Sequence, residues 1–342
     1  MQENYKLDVR DRKILVELDE DARQSNNQIG KKVGLSKEVV KYRIDKMIEN
    51  GVILRFHTVV NYFRIGIVKF KLYLRFTNTN KKKLEELSRY FYNHSKTEWV
   101  ALTTGRWDMI IGFLVSNVNE FDDEIQAVLN KFSSHIQEKA VTSTLYLAHQ
   151  TREFLNFNKS EHNISAIVYH TTKDPKYEID KIDYLLLQLI ANNARMPVTE
   201  IADYLKTTPR VVQYRLKELE RKKIILAYKA HVNPKKLGRV FCKAIIYLGT
   251  CPPTRLQEFM KYSSLMEGTI WPQRVLGSWD FELDFELENY DRFQESIFEL
   301  KENFPDLVRN HEFCIMSKEF KLDLFPGAKP SLLKSPNYRD FG

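Results

Sequence analysis

The chain has 342 residues, 43% of them hydrophobic, with 53 basic against 45 acidic side chains and a net charge of +8. That length suits two to four domains, and the charge is a mild lean toward polyanions that decides nothing alone. The longest apolar runs, such as YLLLQLIA, fall far short of the roughly 18 residues a membrane helix needs, and the charged start MQENYKLDVRDRK does not read as a secretory signal.

Cys242, Cys251 and Cys314 form no CxxC pair, which fits a reducing cytoplasm better than a disulfide framework. The eight histidines are scattered, without HExxH or finger spacing. No glycine-rich phosphate loop and no GxSxG elbow is present. We therefore expect no metal, no cofactor and no catalytic residue.

In chain order, DVRDRKILVELDED carries Ile14, Leu15 and Leu18 at helical spacing. SNNQIGKKVG reads as a short helix with a serine cap and a glycine stop. SKEVVKYRIDKMIEN, from Ser36 to the stop at Gly51, is a third helix after a tight turn, so the three make a helix-turn-helix. VILRFHTVVNYFRIG follows as a β-prone pair broken at its centre, expected to form a two-stranded wing. From residue 67 the pattern is strand, helix, strand, a turn at Gly105, strand, helix, strand. That order, βαββαβ, is the ferredoxin-like split βαβ.

The whole plan then recurs 172 residues later: VVKYRI at 39–44 becomes VVQYRL at 211–216. Asp8 and Asp11 fall on Asp180 and Asp183, Ala22-Arg23 on Ala194-Arg195, and Trp99, Gly105, Trp107 and Asp108 on Trp271, Gly277, Trp279 and Asp280. In the second copy Thr208 and Pro209 open the third helix. Lys223 stands where Gly51 maps, which blurs that helix's end. The expected organisation is helix-turn-helix and wing over 1–66, ferredoxin-like over 67–155, linker over 156–179, a second winged helix over 180–238, a second ferredoxin-like domain over 239–325, and an irregular tail over 326–342. The ISAIVY core of the linker is a candidate extra strand.

LDVRDRKILVELDEDARQSNNQIGKKVGLS, VVNYFRIG and TTGRWDMIIGF, with second copies such as HVNPKKLG and VLGSWDFELDF, resemble the Lrp/AsnC family of prokaryotic feast/famine regulators. The resemblance covers all but linker and tail. It implies an α+β chain in which two winged helices bind double-stranded DNA and alternate with two ferredoxin-like (RAM-type) domains for pairing and small-molecule sensing, often of amino acids. Fusing two units in one chain departs from the usual form. It implies pairing of the two βαββαβ domains within the chain, each covering the other's open face, with association of two chains left open. The resemblance places the effector pocket near the glycine turns, making Gly105, Asp108, Gly277 and Asp280 candidates, although a structural role as turn and cap explains them equally. The four tryptophans read as core or interface.

At about 100° per residue, the repeated Arg43 and Arg215 lie beside the core face of the third helix. There they are positioned to pair with Asp11 and Asp183. The outer face of the first copy holds Glu38, Lys41, Tyr42, Asp45 and Glu49, with Lys37 at its start. The second holds Arg210, Gln213, Tyr214, Lys217 and Arg221. Arginine and lysine suit phosphates and guanine edges, and glutamine suits adenine. Residues 1–66 carry 13 basic and 10 acidic side chains (net +3), and residues 180–238 carry 12 and 6 (net +6). The DNA-contact candidates are thus Lys37, Lys41, Tyr42, Arg210, Gln213, Tyr214, Lys217 and Arg221, with the second copy dominant. Residues 239–325 hold 10 basic and 15 acidic groups, a poor match for DNA. Two further readings remain. Siroheme decarboxylases are similar to this family in architecture, but the histidine expected after VVN is Tyr62 in one copy and Pro234 in the other. A pure assembly scaffold is the third.

Overall fold

The computed structural model describes residues 6–155, 167–170 and 176–326. The first copy opens with α1 (Val9–Glu20), α2 (Asn26–Val33) and α3 (Lys37–Glu49). Reciprocal side-chain caps start the first two, Asp8 with Asp11 and Ser25 with Gln28, so orphan N–H groups at each start find acceptors. Gly34 ends α2 in the left-handed conformation. Ser36 caps α3. Strand β1 (Ile53–Val60) leads through a 3-10 turn (Tyr62–Ile65) and left-handed Gly66.

Then come β2 (Val68–Phe76), α4 (Lys81–Asn93), β3 (Thr97–Gly105), β4 (Met109–Val115), α5 (Val118–Phe132) and β5 (Ile136–His149). Strand β6 (Ile167–His170) pairs with β5, so part of the ISAIVY segment does add a strand. The second copy follows with α6 (Lys181–Ala191), α7 (Val198–Tyr204), α8 (Pro209–Arg221), β7 (Ile225–Val232), β8 (Val240–Leu248), α9 (Pro253–Leu265), β9 (Thr269–Gly277), β10 (Phe281–Leu287), α10 (Tyr290–Asn303) and β11 (Val308–Leu322). The expected tail lies, from residue 327 on, outside the described residues, as does most of the linker. Among the described residues no helix is long and apolar enough to cross a membrane.

The wing differs from the expected two-stranded pair within each copy. VILRFHTVV forms one strand, and the turn at Tyr62–Ile65 sends the chain away into β2. That leaves β1 without a partner in its own copy. Its open edge pairs antiparallel with β7 of the other copy instead, with His57 opposite Lys229 and Arg55 opposite His231. The exchange is reciprocal. Asn61 N–H donates to Ile224 O and Asn233 N–H to Val52 O, both at 2.8 Å. Ala22 N–H donates to Tyr228 O, and Ala194 N–H to Phe56 O. The repeated arginines continue the pattern, Arg23 donating to Ala194 O and Arg195 to Ala22 O. Each helix-turn-helix core is completed by the partner copy's strand: Ala230 and Val232 join Ile14, Leu18 and Val40, while Val60 joins Leu186, Val212 and Leu219.

The two βαββαβ units close on each other. Within each, the strand orders are β5-β2-β4-β3 and β9-β10-β8-β11. Antiparallel pairings β3–β11 and β5–β9 join their edges into an eight-stranded barrel. Alternation along each strand sorts its residues. Phe70, Leu72 and Leu74 face α4 and α5, and Phe281, Leu283 and Phe285 face α9 and α10. The intervening residues face the barrel interior, where Tyr73, Trp107 and Trp279 pack together.

Candidate nucleic-acid interface

Arg43 and Arg215 are structural. Arg43 Nη1 donates to Asp8 Oδ2 (2.7 Å) and Asp11 Oδ1 (2.8 Å), and Arg215 Nη1 makes the same contacts to Asp180 (2.7 Å) and Asp183 (2.8 Å). Each thus ties the third helix of its unit to the cap of the first. The apolar faces of α3 and α8 bury Val40, Ile44 and Met47, and Val212, Leu216 and Leu219. This leaves the opposite faces in solvent.

All eight candidate contact residues are exposed: Lys37, Lys41 and Tyr42 on α3, and Arg210, Gln213, Tyr214, Lys217 and Arg221 on α8. Tyr42 and Tyr214 are 62% and 66% accessible, and Val39 and Val211 stand beside them as equivalent exposed aliphatic groups. The faces differ in how their charges are occupied. On α3, Lys41 is held by Asp45 at 2.5 Å and Lys46 by Glu49 at 2.8 Å. On α8, Arg221 pairs with Glu218 at 2.7 Å. Among the described residues Arg210 and Lys217 form no ion pair. The structure brings each set together on one helix surface, and it keeps the two sets on separate heads joined by the β1–β7 sheet.

The glycine turns sit at the two seams of the barrel. Gly105 has φ +115°, and a Cβ there would lie 2.6 Å from Phe313 O of β11. Gly277 has φ +142°, and a Cβ would lie 2.3 Å from Val141 O of β5. Asp108 accepts from Phe76 N–H (2.7 Å) and Asp280 from Leu248 N–H (2.8 Å). The two glycines thus touch the other copy where the barrel closes, and the two aspartates accept from strands of their own copy.

Two features escaped sequence reading. The first is a buried ionic cluster inside the barrel. Lys71 donates to Glu282 (2.5 Å) and Gln273 (2.6 Å), and Lys243 to Glu282 (3.1 Å) and Asp284 (2.9 Å). Trp279 Nε1–H and Thr142 Oγ1–H complete the Glu282 carboxylate. Burial pushes the Lys71 ammonium down to about 8, against the pull of Glu282. Glu282 is held well below the usual carboxylate range because Lys71 and Lys243 outweigh its burial. The acids of 239–325 are thus not all surface charge, since Glu282, Asp284 and Glu286 are buried. The signal was the alternation of KFKLYLRF and FELDFEL, whose polar positions point inward. The second feature is a cavity between the β1–β7 sheet and one mouth of the barrel, lined among others by His57, His231, Trp99 and Trp271. Its residues come from both copies, so no local motif announces it.

This is a tandem helix-turn-helix protein whose two heads share one strand pair over a common barrel. Residues 7–53 and 179–225 match the model for winged helix-turn-helix DNA-binding domains. The chain is 32% identical over 143 residues to an HTH-type transcriptional regulator of Mycobacterium tuberculosis, covering 42% of this chain and 93% of the relative. It is 28% identical over 148 residues to the proline dehydrogenase transcriptional activator of Rhizobium radiobacter, covering 43% and 92%. It is 45% identical over 60 residues to the regulator LrpA of Pyrococcus horikoshii, covering 18% and 43%. The chain belongs to the Lrp/AsnC family of transcription regulators, as a tandem duplication of its unit. As a fold, the whole chain is similar to the crystal structure of the siroheme decarboxylase NirDL, with TM-score 0.61, 11% identity and coverage of 91% and 92%.

Proposed function

We propose that this regulator binds an asymmetric double-stranded DNA target through α3 and α8, with α8 supplying most of the affinity. The observation that carries this is the contrast between the two exposed faces. Among the described residues α3 has Lys41 engaged by Asp45 and Lys37 without an ion pair, whereas α8 has Arg221 engaged by Glu218 and both Arg210 and Lys217 without one, beside Gln213 and Tyr214. Free cations release counterions from DNA, and paired ones must first give up a partner. Identical heads read palindromes, and non-identical heads an asymmetric site. The test is a gel shift on genomic fragments across a salt series. Reversing Arg210 and Lys217 to glutamate is expected to cost more affinity than reversing Lys37 and Lys41. Equal losses, or the opposite order, would sink the assignment.

A second reading has one observation in its favour, the whole-chain likeness in fold to a siroheme decarboxylase. The wing stretches weigh against it: the histidine expected after VVN in such enzymes is Tyr62 in one copy and Pro234 in the other. Anoxic incubation with siroheme is expected to leave its carboxylates intact, and their loss would establish the enzyme instead.

A further inference from the structure

The cavity beneath the β1–β7 sheet is walled by both copies, and one charge on its wall goes unanswered. Glu319 of β11 lines the space with 29% of its side chain accessible. Trp99 Nε1–H donates to its Oε2 at 2.9 Å. Its Oε1 lies 3.8 Å from His231 Nε2, beyond hydrogen-bond range. Burial first, and then Arg55 and Arg152, hold that imidazole neutral, so it supplies no positive charge. Arg55 also pulls on Glu319, but it forms no ion pair among the described residues and gives its Nη1–H to the Leu322 carbonyl. That pull does not replace the lost water: burial leaves the Glu319 carboxyl raised above its ordinary value.

The other charges of the wall answer one another. Lys69 pairs with Glu98 at 2.7 Å, Lys71 with Glu282 at 2.5 Å, and Asp284 with Lys243 at 2.8 Å. The charged lining residues and these partners therefore amount to three ammonium groups against four carboxylates, and the excess negative charge sits on Glu319. A cation entering here meets a free carboxylate, and a charge-assisted hydrogen bond away from bulk water is a strong one. A guest with a carboxylate of its own would lose hydration without a free counter-ion. A bare metal ion asks for several oxygen ligands, and Glu319 is the one unpaired carboxylate of the lining. The rest of the wall favours an aromatic body. Trp271 Nε1–H is given to His149 Nδ1 at 3.2 Å, as that of Trp99 is to Glu319, so both indoles offer ring surface, beside Phe241 and Leu147.

We propose that this cavity binds a small aromatic amine without a carboxylate, whose ammonium donates to Glu319 Oε1 while its ring lies against Trp99 and Trp271. The site is distinct from the glycine turns, and it does not depend on which head reads DNA. It places the guest against the strand pair that joins the two heads.

The experiment is saturation-transfer NMR and calorimetry on the full chain without DNA, using benzylamine as the probe. Benzyl alcohol is its neutral counterpart, and phenylglycine adds a carboxylate to the same amine. Benzylamine is expected to bind saturably at or below about 1 mM, and the other two at least about tenfold more weakly. Glu319→Gln keeps an acceptor for Trp99 Nε1–H but removes the charge, so it should weaken benzylamine about tenfold or more and leave benzyl alcohol within about twofold. Leu147→Trp, which fills the cavity from β5, should weaken benzylamine by a similar factor. Circular dichroism confirms that each variant is folded, and two variants on different strands protect the test against a failure of either. Absence of saturable benzylamine binding would overturn the proposal. Equal binding of benzyl alcohol would overturn the role of the charge, and equal binding of phenylglycine the exclusion of a carboxylate. Wild-type affinity in both variants would overturn the site.

Discussion

The two copies agree where they must pack and differ where they face something else. Each keeps the arginine clamp to the first helix, the alanine–arginine contact across copies, and the lysine of the barrel interior, Lys71 or Lys243. They part in two places. On the third helix, paired acids crowd α3 while α8 is basic and partly free. Inside the barrel the second copy supplies Glu282, Asp284 and Gln273, at positions the first fills with Ile110, Gly112 and Ala101. Duplication thus let one copy carry the acids that neutralise both lysines. The halves have become complementary and no longer interchangeable.

The largest effect should come from breaking that complementarity. Glu282→Ala leaves the buried Lys71 ammonium without a carboxylate, while Lys243 keeps Asp284, and is expected to cost about 3–5 kcal/mol in denaturant unfolding. Ile110→Val, at the equivalent fully buried position of the first copy, removes one methyl group and should cost about 0.5–1.5 kcal/mol, clearly less than the charge deletion. On the DNA side, reversing Arg210 and Lys217 should flatten the salt slope by about 2 if both touch phosphate, whereas reversing Lys37 and Lys41 should move it less.

Next in size is the shared clamp. Arg215→Ala should cost about 1–2 kcal/mol of unfolding free energy and Arg43→Ala a similar amount, since both bridge partly buried carboxylates. The Asp183 N–H, working against burial, and then Arg215 hold the Asp180 carboxyl below its unfolded value of 3.8. Its stabilising share is therefore complete above about pH 4 and fades as pH falls through the lower folded value. An acid titration of the melting temperature should show that loss for the wild type and a smaller one for Arg215→Ala.

The smallest effect concerns turns. Gly34 and Gly51 of the first copy adopt φ near +70°, and the equivalent second-copy residues are Lys206 (φ 51°) and Lys223 (φ 56°). A lysine in that region carries roughly 1 kcal/mol of strain, so Lys206→Gly and Lys223→Gly should each raise stability slightly, whereas Gly34→Lys should lower it. The absence of that asymmetry in thermal unfolding would erase this difference between the copies.

Much of this was readable in advance. The repeat, the caps, the buried faces of α3 and α8 and the arginine–aspartate pairing are local or periodic, and helical geometry converts spacing directly into facing. Even the missing glycine at Lys223 left its helix ending at Arg221, the position equivalent to Glu49, because the tertiary frame imposes the left-handed turn on a lysine. What did not follow was the wing.

By itself, then, the sequence determined two copies of one plan, the positions of their helices and strands, and the exposed residues that distinguish one head from the other. Only the tertiary structure decided that β1 pairs with β7, that the strand edges close a barrel, and that alternating lysines and acids point inward to meet there. A free strand edge offers the same N–H and C=O groups whatever its side chains, so its partner is chosen by which edges the packed units bring together. A period of two likewise separates two faces of a strand without saying which is inside. The cavity beneath the β1–β7 sheet belongs to the same class of fact. Its histidines and tryptophans are scattered through both halves, and only closure of one copy on the other sets them around a common space.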